Sequence, residues 1–160
     1  MKRILIGWMA ALSALLCACS VQTVWETVDG GCVPAESGAA RAICIALPQD
    51  AVEEVFTERG ARQIYTQPGG GYEITTEILD AAPAAAIVRR LSGFDASALH
   101  VYKSGGKDRP VWQFAWYAAS DEGGRMYRCK VISDDSHCYA LTVSVPEGSG
   151  TSYDSMLTEV

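Results

Sequence analysis

This chain is short of the residues that enzymes most often recruit for chemistry. Its 160 residues include only 2 histidines, His100 and His137. It has no Cys-x-x-Cys spacing, so a tetrahedral zinc centre lacks ligands at workable spacing. It has no Gly-x-Ser-x-Gly elbow, which removes the strand-turn-helix setting of many nucleophilic serines. Gly69-Gly70-Gly71 and Gly105-Gly106 open no helix and are followed by no Gly-Lys-Ser/Thr, so they read as hairpin turns and not as phosphate loops. An excess of positive charge is also missing. The 13 Lys and Arg stand against 19 Asp and Glu, a net charge of −6. That balance argues against nucleic acid and against direct adsorption to anionic lipid. There is no internal repeat, low-complexity block or linker.

What is present begins at the N-terminus. Lys2 and Arg3 precede an apolar run, Ile4 to Leu16, broken only by Gly7 and Ser13. The run is shorter than the ~20 residues of a membrane-spanning helix, so it reads as a signal peptide. Its end, Leu16-Cys17-Ala18-Cys19, resembles a bacterial lipobox. The resemblance implies that Cys19 becomes the first mature residue and carries the lipid, with palmitate among its acyl chains. Leu15 and Leu16 are too bulky for the small position ahead of Cys17, so Cys17 leaves with the signal. Ordinary secretory cleavage near Ala18, leaving Cys19 free, and an uncleaved anchor are the competing readings. The expected organisation is a signal over residues 1–18, a lipidated tether over 19–23 and a single domain over 24–160. The expected location is the cell membrane, lipid-anchored on its extracytoplasmic side. Without Lys2 and Arg3 the cations fall from 13 to 11 against 19 acids, leaving about −8, which keeps a tethered domain soluble.

Four cysteines remain after Cys19: Cys32, Cys44, Cys129 and Cys138. Export would allow disulfides to persist. Four cysteines allow three pairings, and proximity favours Cys32 with Cys44 and Cys129 with Cys138. The second pair raises a conflict. Bridging it requires an even hairpin loop, whereas the better apolar match of Tyr127, Cys129 and Val131 with Leu141, Tyr139 and His137 requires an odd one. The disulfide is the expectation adopted.

Strand signals dominate the rest. Val24–Val28, Ala42–Leu47, Arg62–Thr66, Tyr72–Leu79, Leu99–Lys103, Val111–Ala119, Arg125–Ser133 and His137–Val145 are predicted strands. Ala51–Glu58 is ambiguous between a short helix and an extended stretch. Ile43, Ile45 and Leu47 alternate with Cys44 and Ala46. Trp112, Phe114 and Trp116 fall on one face of their strand, the predicted core side, and Tyr117 on the other as an exposed contact. One mid-chain helix is clear: Asp80 as cap, Pro83 in the first turn, Ala84–Leu91 as body and Gly93 as stop. The tail, Ser152–Val160, has helical spacing. Strands, one mid-chain helix, an antiparallel meander and a terminal helix make an α+β domain, an antiparallel sheet with helices packed on it.

Several of these segments carry a second resemblance. Ser92-Gly93-Phe94 ends a helix, and Trp112-Gln113-Phe114-Ala115-Trp116-Tyr117 forms an aromatic strand. Tyr139-Ala140-Leu141-Thr142-Val143-Ser144-Val145-Pro146 then leads into a helical tail. Over roughly residues 72–160 this is similar to the PsbP-like α/β sandwich of small exported lipoproteins. The resemblance implies assembly, stability or binding roles with no shared active site. It also implies a further strand after the last helix, often with Ser-Phe, and the chain reaches Val160 without one. That leaves either a truncated chain or a sheet with an open edge.

No residue is assigned a catalytic or metal-binding role, and no cofactor is expected. His137 lies beside Asp134, Asp135 and Ser136, but that composition is what a turn needs. His100 lies between Leu99 and Val101 in a strand. The acidic pairs Glu53-Glu54, Asp121-Glu122 and Asp134-Asp135 diverge and do not converge on one substrate. The reading is a membrane-tethered, non-enzymatic binding or assembly module with a protein partner in the envelope. The alternative is a small-ligand-binding or hydrolytic envelope enzyme with a cleft between helix and sheet.

Overall fold

The computed structural model of the chain describes residues 27–32, 41–54, 62–121 and 123–159. The signal, Cys19, the tether and parts of the segments Val24–Val28 and Ala51–Glu58 lie outside them. The described elements in chain order are β1 (Thr27–Cys32), β2 (Cys44–Pro48), β3 (Val52–Glu54), β4 (Arg62–Thr66) and β5 (Glu73–Asp80). Then follow α1 (Ala84–Ser92), a 3-10 turn at Ala96–Ala98, β6 (Tyr102–Gly106), β7 (Arg109–Ser120), β8 (Gly123–Ser133), β9 (His137–Pro146) and α2 (Gly150–Glu159). This is the α+β architecture expected.

Seven strands form one antiparallel sheet in the order β3-β4-β5-β9-β8-β7-β6, and β1-β2 form a separate ribbon. The helix α1 carries the chain from β5, near the middle, to β6 at the far edge. The meander β6 to β9 then returns and inserts β9 beside β5. Every residue of β5 pairs with β9, from Glu73↔Ser144 to Asp80↔His137.

The two faces of the sheet follow from residue parity. The inner face carries Leu79, Trp112, Phe114, Cys129, Val131, Cys138 and Ala140, all buried against Ile87 and Val88 of α1. Gly93 ends α1 with φ 79°, a left-handed conformation open to glycine at little cost, and its N–H donates to the Arg89 carbonyl at 2.9 Å. The outer face carries Ile74, Val143 and Val145, which pack against Leu47 of the ribbon and Met156 of α2. Ile78 and Tyr139 pack beside Ile43. The alternation of Ile43, Ile45 and Leu47 therefore aims the ribbon at the sheet.

Four expectations need correction. Cys129 and Cys138 are free, buried thiols. The hairpin loop is even, but the register pairs Cys129 with Thr142 and Cys138 with Ser133. Both cysteines share the inner face, yet four residues of strand separate their rungs, about 13 Å, beyond the reach of a disulfide. Burial pushes the Cys129 thiol up to about 12. Second, Asp80 is not the helix cap. It is still paired in the sheet, and the cap position is Pro83, whose carbonyl accepts from Ile87 at 3.2 Å. Third, the strand expected from Leu99 begins at Tyr102, because the 3-10 turn at Ala96–Ala98 occupies the approach. Fourth, Gly105 and Gly106 stay in β6, and the turn falls on Lys107-Asp108.

Candidate functional site

Three places bring polar groups together on or beside the outer face. The first is the Asp134 turn between β8 and β9. Asp134 Oδ1 accepts from Ser136 N at 2.9 Å, Ser136 Oγ at 3.0 Å and His137 N at 2.8 Å. Its Oδ2 accepts from Tyr139 Oη at 3.0 Å. The two backbone N–H groups are the main reason this carboxyl is held well below the usual aspartate range. Tyr139 moves the other way, raised first by burial and then by its bond to Asp134, with Arg41 opposing.

This turn contains the residues of a Ser–His–Asp triad in the wrong relation. Ser136 gives its only hydroxyl proton to Asp134. The contact of His137 Nδ1 with Ser136 Oγ, at 2.9 Å, therefore requires the imidazole to be the donor. A ring nitrogen that already carries a proton toward the hydroxyl is no base for it. The aspartate, moreover, holds the serine and the backbone instead of orienting the imidazole. The arrangement closes a hairpin; it does not activate a nucleophile.

The second place is at the other end of the sheet. Asp50 accepts from Tyr72 Oη at 2.6 Å and Gln67 Nε2 at 2.5 Å, and Gln67 Oε1 accepts from Tyr153 Oη at 2.8 Å. The Tyr72 and Tyr153 rings meet edge-to-face at 6.0 Å. The bond from Tyr72 is the largest cause holding the Asp50 carboxyl below its ordinary value. Tyr72 is raised well above the ordinary tyrosine value, first by burial and then by that bond. This network joins the β2–β3 connection, the β4–β5 hairpin and α2, and its members satisfy one another.

The third place is the half of the outer face over β6, β7 and β8 that lies away from the ribbon, where large side chains are exposed. Tyr102 is 59% exposed, Tyr117 44% and Met126 45%. Tyr117 and Met126 are direct cross-strand partners, and Ala115 pairs with Arg128 beside them. Tyr102 pairs with Gln113 on the next strand, and a shallow groove runs past His100, Tyr102, Gln113 and Arg128. Tyr117 is thus exposed, as its parity predicted. Its hydroxyl donates to Glu147 at 2.7 Å, and its ring lies over Gly124, where a Cβ would collide with it. Glycine at 124 is what lets the ring lie down.

Sequence reasoning did not pick out one further feature, the cleft between the ribbon and the β7–β9 end of this face. It has a volume of about 380 Å³ and is lined in part by Arg41, Arg109, Lys130 and Asp134. Its residues are far apart in sequence, so no local motif marks them. Of the cysteines, Cys44 is disulfide-bonded, and its register partner across the ribbon is Cys32. Among the described residues no cluster of His, Cys, Asp or Glu is arranged to hold a metal ion. No helix among them is long and apolar enough to cross a membrane.

No protein-family model matches the chain, and no curated protein matches its sequence. Among solved structures the chain is similar to the solution structure of cyanobacterial PsbP (CyanoP) from Synechocystis sp. PCC 6803, with a TM-score of 0.55 and 10% identity. The match covers 73% of this chain and 82% of that one. The likeness is one of fold, and the fold is PsbP-like.

Proposed function

We propose that the chain is an extracytoplasmic accessory module, tethered through lipid on Cys19, that binds a protein partner and carries out no reaction of its own. The observation that carries this reading is the bare half of the outer face, where Tyr102, Tyr117 and Met126 are exposed on one continuous stretch of sheet. Scattered surface hydrophobics need no explanation, but several on one surface favour association. Aromatic residues and methionine are enriched in interface cores, and Arg128 beside them fits the same composition. The saturated bonding of Asp134 and Asp50 supports binding over catalysis. A fold shared with CyanoP fits an accessory role without naming a partner. The disulfide of Cys44 is assigned here to Cys32, which stiffens the ribbon.

The test is capture from detergent-solubilised envelope by the tagged full chain and by a Met126→Lys variant. A protein captured by the parent chain and lost from the variant supports the reading. Equal capture by both overturns the assignment of this face. Intact mass of the mature chain tests the tether, since an unmodified N-terminus would remove the lipid on Cys19.

A further inference from the structure

The cleft under the β1–β2 ribbon has an electrostatic character at odds with the rest of the chain. Arg41 enters from the segment before β2, Arg109 from the start of β7 and Lys130 from the middle of β8. Three cations thus converge in a protein of net charge −6. The ion pairs formed among the described residues, Arg89 with Asp95 and Arg90 with Glu77, are both made by residues of α1. None involves these three side chains. Among the described residues Asp134 is the one carboxylate on the lining, and both of its oxygens are already occupied by Ser136, His137 and Tyr139. It offsets part of the charge but offers little further bonding to a guanidinium or ammonium group.

Apart from Ser133 and the Tyr139 hydroxyl, the remaining described lining is apolar. Ile132 and Leu141 project from the sheet, and Ile43 and Ile45 face them from the ribbon. A volume of about 380 Å³ falls within the range of small-molecule sites, ~300–1,000 Å³. An apolar enclosure with a few convergent charged groups is the usual composition of such sites. Arginine offers paired donors to a phosphate or carboxylate, and lysine adds a point charge.

We infer that this cleft binds a small organic anion. A phosphate or carboxylate head lies among Arg41, Arg109 and Lys130, and a short apolar body lies between Ile43 and Ile45 above and Ile132 and Leu141 below. The volume equals the liquid share of about a dozen waters, enough for a short chain or one ring. The site goes beyond the contact surface proposed above and does not depend on it. From the Val111↔Ile132 rung to the Tyr117↔Met126 rung is six residues of strand, about 20 Å. The anionic head belongs either to a free solute or to a phospholipid of the supporting membrane, and both present the same chemistry to the three cations.

The experiment uses the full chain in phosphatidylcholine nanodiscs, with isotope-labelled isoleucine methyl groups followed by NMR. Hexyl phosphate is the probe. Hexanol, hexylammonium and inorganic phosphate are the comparisons. Saturable shifts at Ile43 and Ile132 are expected with hexyl phosphate. Hexanol and inorganic phosphate should each bind at least tenfold more weakly, and hexylammonium should leave the signals in place. An Arg109→Ala/Lys130→Ala variant should lose at least tenfold in affinity while its melting temperature and the Met126-dependent partner capture stay unchanged. Absence of saturable shifts, equal binding of hexanol, or equal binding by the double variant overturns the anion site. Inorganic phosphate binding as tightly as hexyl phosphate overturns the apolar half. Adding phosphatidylglycerol to the discs separates the sources. Shifts at the same methyl groups that hexyl phosphate then competes away identify a lipid headgroup, and unchanged signals identify a free organic anion.

Discussion

The two faces of the main sheet are made from alternate residues of the same strands, yet they end in different environments. On β7, Trp112 and Phe114 turn inward to α1 and are buried, while Ala115 and Tyr117 turn outward and are exposed. On β9 both faces are covered: Cys138 and Ala140 pack under α1, and Val143 and Val145 under the ribbon and α2. Alternation along a strand separates two faces. Which of them is buried depends on what lies above it. On the inner face α1 packs over the core, whereas among the described residues the ribbon and α2 pack on the outer face over β4, β5 and β9, and the ribbon meets β7 and β8 only across the cleft. The difference teaches that the surface available for binding is defined by where the covering elements stop.

The sharpest way to break this comparison is to truncate neighbours on opposite faces of β7. Phe114→Ala should cost about 3–5 kcal/mol, as for other buried aromatics, read as a shift of the urea unfolding midpoint. A cost below about 1 kcal/mol would mean that the inner face is not the core. Trp116 belongs to the same stripe but is half-buried, stacked on Tyr127 at 4.9 Å with an interplanar angle of 7°. The nine residues of α1 span only about 13 Å, so its cover does not extend along the whole strand.

A smaller effect is expected at Asp134, which anchors the turn where the covered and bare parts of the outer face meet. Its carboxyl is more acidic in the fold than its ordinary value of 3.8, so the ionised form stabilises the folded state. That contribution is complete above about pH 5 and is lost as the pH falls through the ordinary aspartate range toward the lower folded value. Asp134→Ala should cost about 1 kcal/mol at pH 7 and flatten the acid side of the stability profile. The measurement is unfolding free energy between pH 7 and 2. A profile with an unchanged acid limb would remove Asp134 from that role.

The smallest effect is expected one residue from Phe114. Ala115→Lys lies on the bare surface and should change stability by no more than about 0.5 kcal/mol. A loss above about 1 kcal/mol in the same urea titration would show that this half of the outer face is covered in the folded chain.

Much of the local structure was legible. The stripe Trp112, Phe114, Trp116, the outward Tyr117, the hairpin at Gln67–Gly71 and the glycine stop of α1 follow from periodicity and turn chemistry. The exposed surface proposed for partner contact was legible only as one residue, Tyr117. Tyr102 and Met126 join it through the pairing of three strands, which no single strand reveals. The cleft was not legible. Arg41, Arg109 and Lys130 carry no spacing signal, and each by itself resembles an ordinary solvated cation.

The Cys129–Cys138 pairing shows where such reasoning stops. The disulfide expectation, with its even loop, placed both thiols on one face, as found, but shifting a hairpin by two rungs on each strand preserves every inside-outside assignment. Periodicity cannot distinguish registers that share parity; the turn closed by Asp134 does, by pairing Ser133 with Cys138.

The sequence by itself determined the α+β class, the principal strands and the alternation that sorts each strand into two faces. These are local properties, set by backbone geometry with periods of 2 and 3.6 residues and by the special conformations of glycine and turn residues. Only the tertiary structure decided that β9 lies between β5 and β8, that two thiols on one face stand four residues apart, and that Tyr102, Tyr117 and Met126 are left exposed on the outer face. It also brought three cations under one ribbon. Those outcomes depend on contacts between residues distant in the chain, where register, docking and cover compete across the whole molecule.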